Sequence, residues 1–282
     1  MIFFKRFFDF ILFGNIYVAL GAVCLIQSSL IQLQTSNFLL PYSFLTFFAT
    51  LFIYNLQRIF YSRQKENSIG SIRRKWIFEN QFSIKLLCII GFIGVVITFF
   101  FVDYKIIFYL SPLLILSIAY FLPSIKLRKN AWFKLLTLSL VWTMATAVVP
   151  MILSDVPLSC FPAQLHIFVR FTFMIAICIP FDIRDFDIDK EDNISTIPHI
   201  LGETATRWIA FAIMLFYILL IMTEHSIWMF DRATYYGLMI SAIINTLLVL
   251  LSNSKRGEYF YVAMIDGTMI LQGVILMVVC YW

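Results

Sequence analysis

The stretch PFDIRDFDIDKEDN, Pro180–Asn193, gathers six acidic residues into fourteen positions of a chain that is only 13% charged. At about 100° per residue, a helix through it sets Asp182, Asp185 and Asp189 at about 0°, −60° and −20°. Three carboxylates then share one face. Asp192 falls at about −80°, on the same face, and Asp187 points away. Like charges at this spacing repel and destabilise a bare helix, so the stripe makes sense with a cation among the carboxylates. Hard oxygen ligands without His or Cys favour Mg2+ or Ca2+. Mg2+ typically takes one or two carboxylates plus substrate phosphates, which points to a diphosphate at a membrane surface. The plainer reading is a solvated acidic loop that caps an apolar segment; the i, i+3, i+7 spacing argues against it.

The elements that would carry this stripe follow from composition. The 282-residue chain is 61% hydrophobic, with 31 Phe and 13 Tyr, and its mean hydropathy is +0.90. A soluble domain would not tolerate so much apolar surface, so the chain reads as a polytopic membrane protein. Apolar runs near the 20 or so residues a span needs fall at 7–33, 38–62, 82–102, 105–122, 132–153, 161–181, 206–223, 232–251 and 258–281. They are continuous rather than alternating, which favours helices over a barrel. The expected fold class is all-α: a single domain over residues 1–282, with nine transmembrane helices around a central cavity. The N-terminus has the Lys5–Arg6 pair of a signal peptide, but its apolar run is too long and no small-residue cleavage site follows, so it reads as a retained first span.

Nine spans put every basic residue except Lys105, Arg170 and Arg232 on one side, with the N-terminus. The positive-inside rule makes that side cytoplasmic, in the cytoplasmic (inner) membrane. The longer polar connections, Arg63–Gln81, Leu122–Ala131 and Asp182–Arg207, lie there too. The five cysteines have neither metal nor redox spacing and read as packing residues. Nothing in the composition points to a nucleic-acid partner.

The continuation DIRDFDIDKEDNISTIPHILGE resembles the second aspartate-rich motif of the UbiA family of intramembrane prenyltransferases. That pattern is D-x-x-D-x-x-x-D, then T-x-P and Leu-Gly, matched by Asp182, Asp185, Asp189, Thr196, Pro198 and Gly202. It departs at Asn193, where the family usually has Gly. YFLPSIKLRKNAWFK, which begins at Tyr120, resembles the family's Tyr followed by basic residues. The resemblance implies Mg2+ ions bridging aspartates to the diphosphate of an isoprenoid donor, allylic C–O ionisation, and attack by an electron-rich acceptor. It implies Asp182, Asp185 and Asp189 as catalytic metal ligands, with Tyr120, Lys126 and Arg128 as diphosphate contacts. Lys129 and Lys134 read instead as positive-inside anchors. Pro198, after Ser195 and Thr196, reads as a helix start that would form a lid segment.

The family's first motif, N-D-x-x-D-x-x-x-D, corresponds here to NLQRIFYSR. Asn55 is retained, but the aspartate positions hold Leu56, Ile59 and Arg63. Three readings are open. Arg58 and Arg63 contact the diphosphate directly in a one-metal site, with Asn55 turned inward, because guanidinium forks suit phosphate oxygens. Alternatively, activity is lost and only isoprenoid or lipid binding or transport remains. Or Arg58 pairs with Asp185 or Asp189 and replaces the metal.

Arg170 and Asp266 lie inside expected spans, where charges face the interior and find partners. They would meet across the cavity or line an acceptor pocket. His199 is either a base or, more simply, a surface residue; His166 and His225 carry no chemical signal. The expectation is therefore a Mg2+-dependent transfer of an isoprenoid chain from a prenyl diphosphate to a small acceptor, aromatic or a quinone precursor. The competing reading is a non-catalytic isoprenoid or lipid binder on the same fold.

Overall fold

The computed structural model describes residues 2–35, 38–62, 71–121, 130–191, 194–228 and 230–281. Among them there is no strand. The first apolar run is two helices, α1 (Ile2–Phe13) and α2 (Ile16–Gln32), bent by 58°. The break falls at Gly14–Asn15, and Asn15 takes a left-handed φ of 64°, which asparagine tolerates better than most residues. Next come α3 (Leu40–Ser62), a short amphipathic α4 (Ile72–Glu79), α5 (Gln81–Phe99) and α6 (Ile106–Phe121). After them run α7 (Ala131–Thr143), a π-helical turn (Met144–Val148) and α8 (Val149–Leu153).

The acidic stripe rides on α9 (Phe161–Arg184) and α10 (Phe186–Glu191), followed by α11 (Ile197–Leu201), α12 (Glu203–Trp228) and α13 (Arg232–Leu250). The chain closes with a second π-helical turn (Phe260–Ile265) and α14 (Gly267–Tyr281). In that turn the Asp266 amide donates to the Tyr261 carbonyl at 3.0 Å, a five-residue step with one residue more than an α-turn holds.

The helices close into a ring. α14 packs on α2, α2 on α3, α3 on α6, α6 on α7, α7 on α9, α9 on α12, and α12 and α14 on α13. α5 lies against α3. A Cβ at Gly91 would come within 2.7 Å of the Phe52 backbone, and one at Gly94 within 2.2 Å of the Phe48 ring. Small residues are what let two membrane helices approach this closely. α5 turns Phe82, Ile89, Phe92 and Ile93 outward, a face suited to lipid.

Each of the nine expected apolar segments is helical, but nine spans are not established. Six helical segments are long and apolar enough to cross a membrane, or seven with the bent α1–α2 pair. α3 is not among them, and α6 is a shorter apolar helix. Pro198 does open a helix: Thr196 caps α11 in a capping box with His199, and Gly202, at φ 84°, ends it.

Candidate functional site

α9 runs through Pro180 to Arg184 and breaks at Asp185, whose φ of −87° and ψ of 13° leave the helical region before α10 resumes. That break divides the carboxylates. Asp182 and Asp189 converge on Lys134 of α7, whose Nζ lies 2.6 Å from Asp182 Oδ1 and 2.9 Å from Asp189 Oδ2. All three side chains are inside the protein, at 9%, 5% and 0% exposure. Asp185 instead takes a bidentate pair from Arg184 Nε and Nη2, both at 2.8 Å, and a third bond from Arg73 of α4 at 3.3 Å. Asp187 is exposed, pointing away as expected.

The expected grouping of Asp182, Asp185 and Asp189 around one metal ion is therefore corrected. The helix break sends Asp185 to the arginines, and the lysine ammonium occupies the space between the other two. Among the described residues no group of three or more His, Cys, Asp or Glu side chains could hold a metal ion. With the first-motif positions filled by Leu56, Ile59 and Arg63, the described residues do not fit the Mg2+ scaffold that the sequence resemblance implied.

Lys134 was expected to be an interfacial anchor. Asn130 caps α7, its Oδ1 accepting from the amides of Trp132 and Phe133. The first turn then directs Ala131, Lys134 and Leu135 inward as one buried stripe. The stripe is the signal that was available: a lysine at i+3 from a buried alanine, in register with the polar Thr137 and Trp142 face of the same helix.

Glu258 joins the second half of the cluster. It accepts from the Ser71 hydroxyl and lies 3.7 Å from Arg73 and 3.9 Å from Arg184. The Arg184 guanidinium sits over the Phe181 ring at 4.9 Å and near the Tyr261 ring at 5.8 Å, cation–π contacts that reinforce its position. Burial pushes the Asp185 carboxyl up, but Arg184 and Arg73 outweigh it and hold the group well below the usual carboxylate range.

The α3 residues divide likewise. Asn55 is fully buried and uses both amide hydrogens inside the protein, donating to the carbonyls of Gly14 and Leu51. Its Oδ1 accepts from Asn15. It pins the α1–α2 break and has no donor left for a substrate, which corrects its expected binding role. Arg58, one turn on, is different. Its Nη1 is enclosed and has no hydrogen-bond partner, and the charges of Arg73, Arg184, Asp266 and Glu258 all reach it. The expected pairing of Arg58 with Asp185 or Asp189 is not formed: those carboxylates meet Arg73, Arg184 and Lys134. Tyr120 is buried within electrostatic reach of Lys134. Arg63, Lys126 and Arg128 lie outside the described residues.

Arg170 and Asp266 do not meet. Asp266 lies within electrostatic reach of Arg184, Arg73 and Arg58. Arg170 belongs to a separate network, donating to the Leu25 carbonyl and to the Ser28 and Ser29 hydroxyls at 3.3, 3.4 and 3.1 Å. There His166 joins Glu224 to Ser29, a role the sequence did not signal. His199 is neither a free base nor a bare surface group: it stacks on Phe186 and engages Thr196 and the Phe186 carbonyl through its two ring nitrogens.

No family model and no curated protein matches the chain. Solved structures do. A UbiA homologue from Archaeoglobus fulgidus bound to GPP and Mg2+ superposes with a TM-score of 0.60 at 12% identity, over 97% of this chain and 100% of that one. The same homologue bound to DMAPP and Mg2+ gives 0.60 at 13% identity, over 96% of each chain. The apo UbiA homologue from Aeropyrum pernix K1 gives 0.59 at 14% identity, over 95% of this chain and 96% of that one. The ring of helices, carrying charged side chains at the ends of α3 and α9, is a UbiA-like fold.

Proposed function

We propose that this protein is a membrane-embedded prenyltransferase that moves an isoprenoid chain from a prenyl diphosphate to a small aromatic or quinone-precursor acceptor at the cytoplasmic face of the inner membrane, with its N-terminus on that side. The observation that carries this reading is Arg58. Its Nη1 is enclosed and lacks a hydrogen-bond partner. A buried cation in that state calls for an anion, and guanidinium forks match phosphate oxygens. A solved homologue of this fold binds GPP and DMAPP, which makes a prenyl diphosphate the anion of choice. Arg63, Tyr120, Lys126 and Arg128 belong to the same proposal as further diphosphate contacts.

The reaction balances as follows. The allylic C–O bond breaks, and both electrons stay on the diphosphate oxygen, whose growing charge Arg58 offsets. The acceptor's electron pair forms the new bond to the allylic carbon, and the acceptor sheds a proton. The reading assigns that proton to Asp266, a carboxylate within electrostatic reach of Arg58.

The second reading, an isoprenoid or lipid binder without turnover, is favoured by the capture of Asp182 and Asp189 on Lys134. Incubating the purified protein with labelled prenyl diphosphates and a panel of phenolic acceptors, and following released diphosphate, separates the two. Release that depends on acceptor supports the transferase. Retention of the labelled lipid with no release at any chain length supports the binder.

A further inference from the structure

Most buried charges in the site are explained as pairs. Lys134 asks for more, because of where it stands. Asp182 and Asp189 belong to the motif whose resemblance implied metal ligands, and an ammonium group bridges them at hydrogen-bond distance. Mg2+ binds carboxylate oxygens at about 2.0–2.1 Å. An ion on these oxygens would be pressed against the ammonium, with like charges adjoining in a site closed to water. The two cations are mutually exclusive.

The rest of the site agrees. Asp185, the third carboxylate of the stripe, is held by Arg184 and Arg73. The α3 positions that would supply a second ligand set hold no carboxylate. One loose end remains: Asp189 Oδ1 is buried without a partner, so the carboxylate pair keeps an unused acceptor beside the ammonium. That geometry describes a divalent-ion site already filled by a tethered monovalent ion. A metal ion exchanges with solvent; Lys134 cannot leave, because its stem is anchored in the capped first turn of α7.

We propose that the Lys134 ammonium is a resident cation standing in for a divalent metal between Asp182 and Asp189, so that this protein works without Mg2+. The part concerning ligand handling rests on the prenyl diphosphate reading above; the part concerning metal does not.

The test has two arms. In the first, the intact protein in detergent is titrated with Mn2+ as a paramagnetic stand-in for Mg2+ and followed by electron paramagnetic resonance. Wild type is expected to show no saturable Mn2+ site. Lys134→Ala, which opens the carboxylate pair, is expected to gain one, and adding Asp182→Asn is expected to remove it. Lys134→Arg, which keeps the charge, is expected to stay metal-free. Stoichiometric Mn2+ on wild type that Asp182→Asn abolishes would overturn the proposal. If Lys134→Ala does not fold, the wild-type titration and Lys134→Arg decide alone.

In the second arm, geranylgeranyl diphosphate binding is measured in EDTA and in Mg2+. The proposal expects equal affinity. A loss of about tenfold or more in EDTA, the scale on which disturbed metal sites lose affinity, overturns it. If the lipid binds under neither condition, the functional reading fails, and the Mn2+ arm still judges the resident-cation idea separately.

Discussion

Two buried polar regions of this protein handle charge in opposite ways. At the α9–α10 break, every described acidic side chain of the stripe that faces inward meets a cation: Asp182 and Asp189 meet Lys134, and Asp185 meets Arg184 and Arg73. Around Arg170, in the first half of α9, the arginine is held by hydroxyls and one carbonyl, while Glu224 is taken by His166. Arg170 Nη1, Glu224 Oε2 and Gln272 Oε1 are left without hydrogen-bond partners. The first region is locked by ion pairs and the second is knitted by hydrogen bonds. A buried ion pair broken on one side leaves a bare charge, whereas a lost hydroxyl contact leaves only a dipole. The two regions should therefore answer mutation on different scales.

The largest effect is expected at Lys134. Lys134→Met leaves two enclosed carboxylates uncompensated and should cost about 3–5 kcal/mol, read as a fall in the thermal unfolding midpoint in detergent. Adding Asp182→Asn and Asp189→Asn should recover most of it, because the charges then leave together. Arg58 should separate binding from stability. Arg58→Met removes a cation whose Nη1 has no partner, so the fold should hold while prenyl diphosphate affinity drops by about 1.5–3 kcal/mol, the range of hydrogen bonds to charged groups, measured by lipid titration. Arg170→Met should cost only about 1–2 kcal/mol. A loss matching that of Lys134→Met would erase the contrast between the regions.

The smallest effect concerns pH. Asp185 is held below the usual carboxylate range, so its ion pairs stabilise the fold fully above the unfolded value of about 3.9. That contribution is lost progressively as pH falls from there to the lower folded value. Between neutral pH and about pH 5 Asp185 should add no slope to the unfolding midpoint. Asp185→Asn should lower the midpoint throughout that window and remove the acid-side decline.

Much of this was legible in the sequence. Continuous apolar runs identify the helices because backbone groups in a bilayer must be satisfied within their own segment. The helical period correctly turned Asp187 outward and drew attention to Asp182, Asp185 and Asp189. What it could not carry was the break at Asp185, which depends on what Arg184 and Arg73 offer in three dimensions. Lys134 looks like an interfacial lysine because its partners are more than forty residues away in the chain. Asn55 matched the family position, yet its use is dictated by the α1–α2 break, and nothing in an apolar run announces that a span is bent. Arg170 and Asp266 carry opposite charges inside spans, which suggests a pair or a shared acceptor pocket; Asp266 lies instead near Arg184, at the far end of α9 from Arg170.

The wide turn Phe260–Ile265 sets the phase of the last span. It takes up one residue more than a regular helix would, so Tyr261 stays beside Arg184 while Gln272, further along, stays beside Ser28. Tightening that turn without removing a residue would swivel everything beyond it by about 100°, carrying Asp266 off the arginines and Gln272 off its serine in one movement. A single surplus residue thus keeps the two polar regions in step along the closing helix.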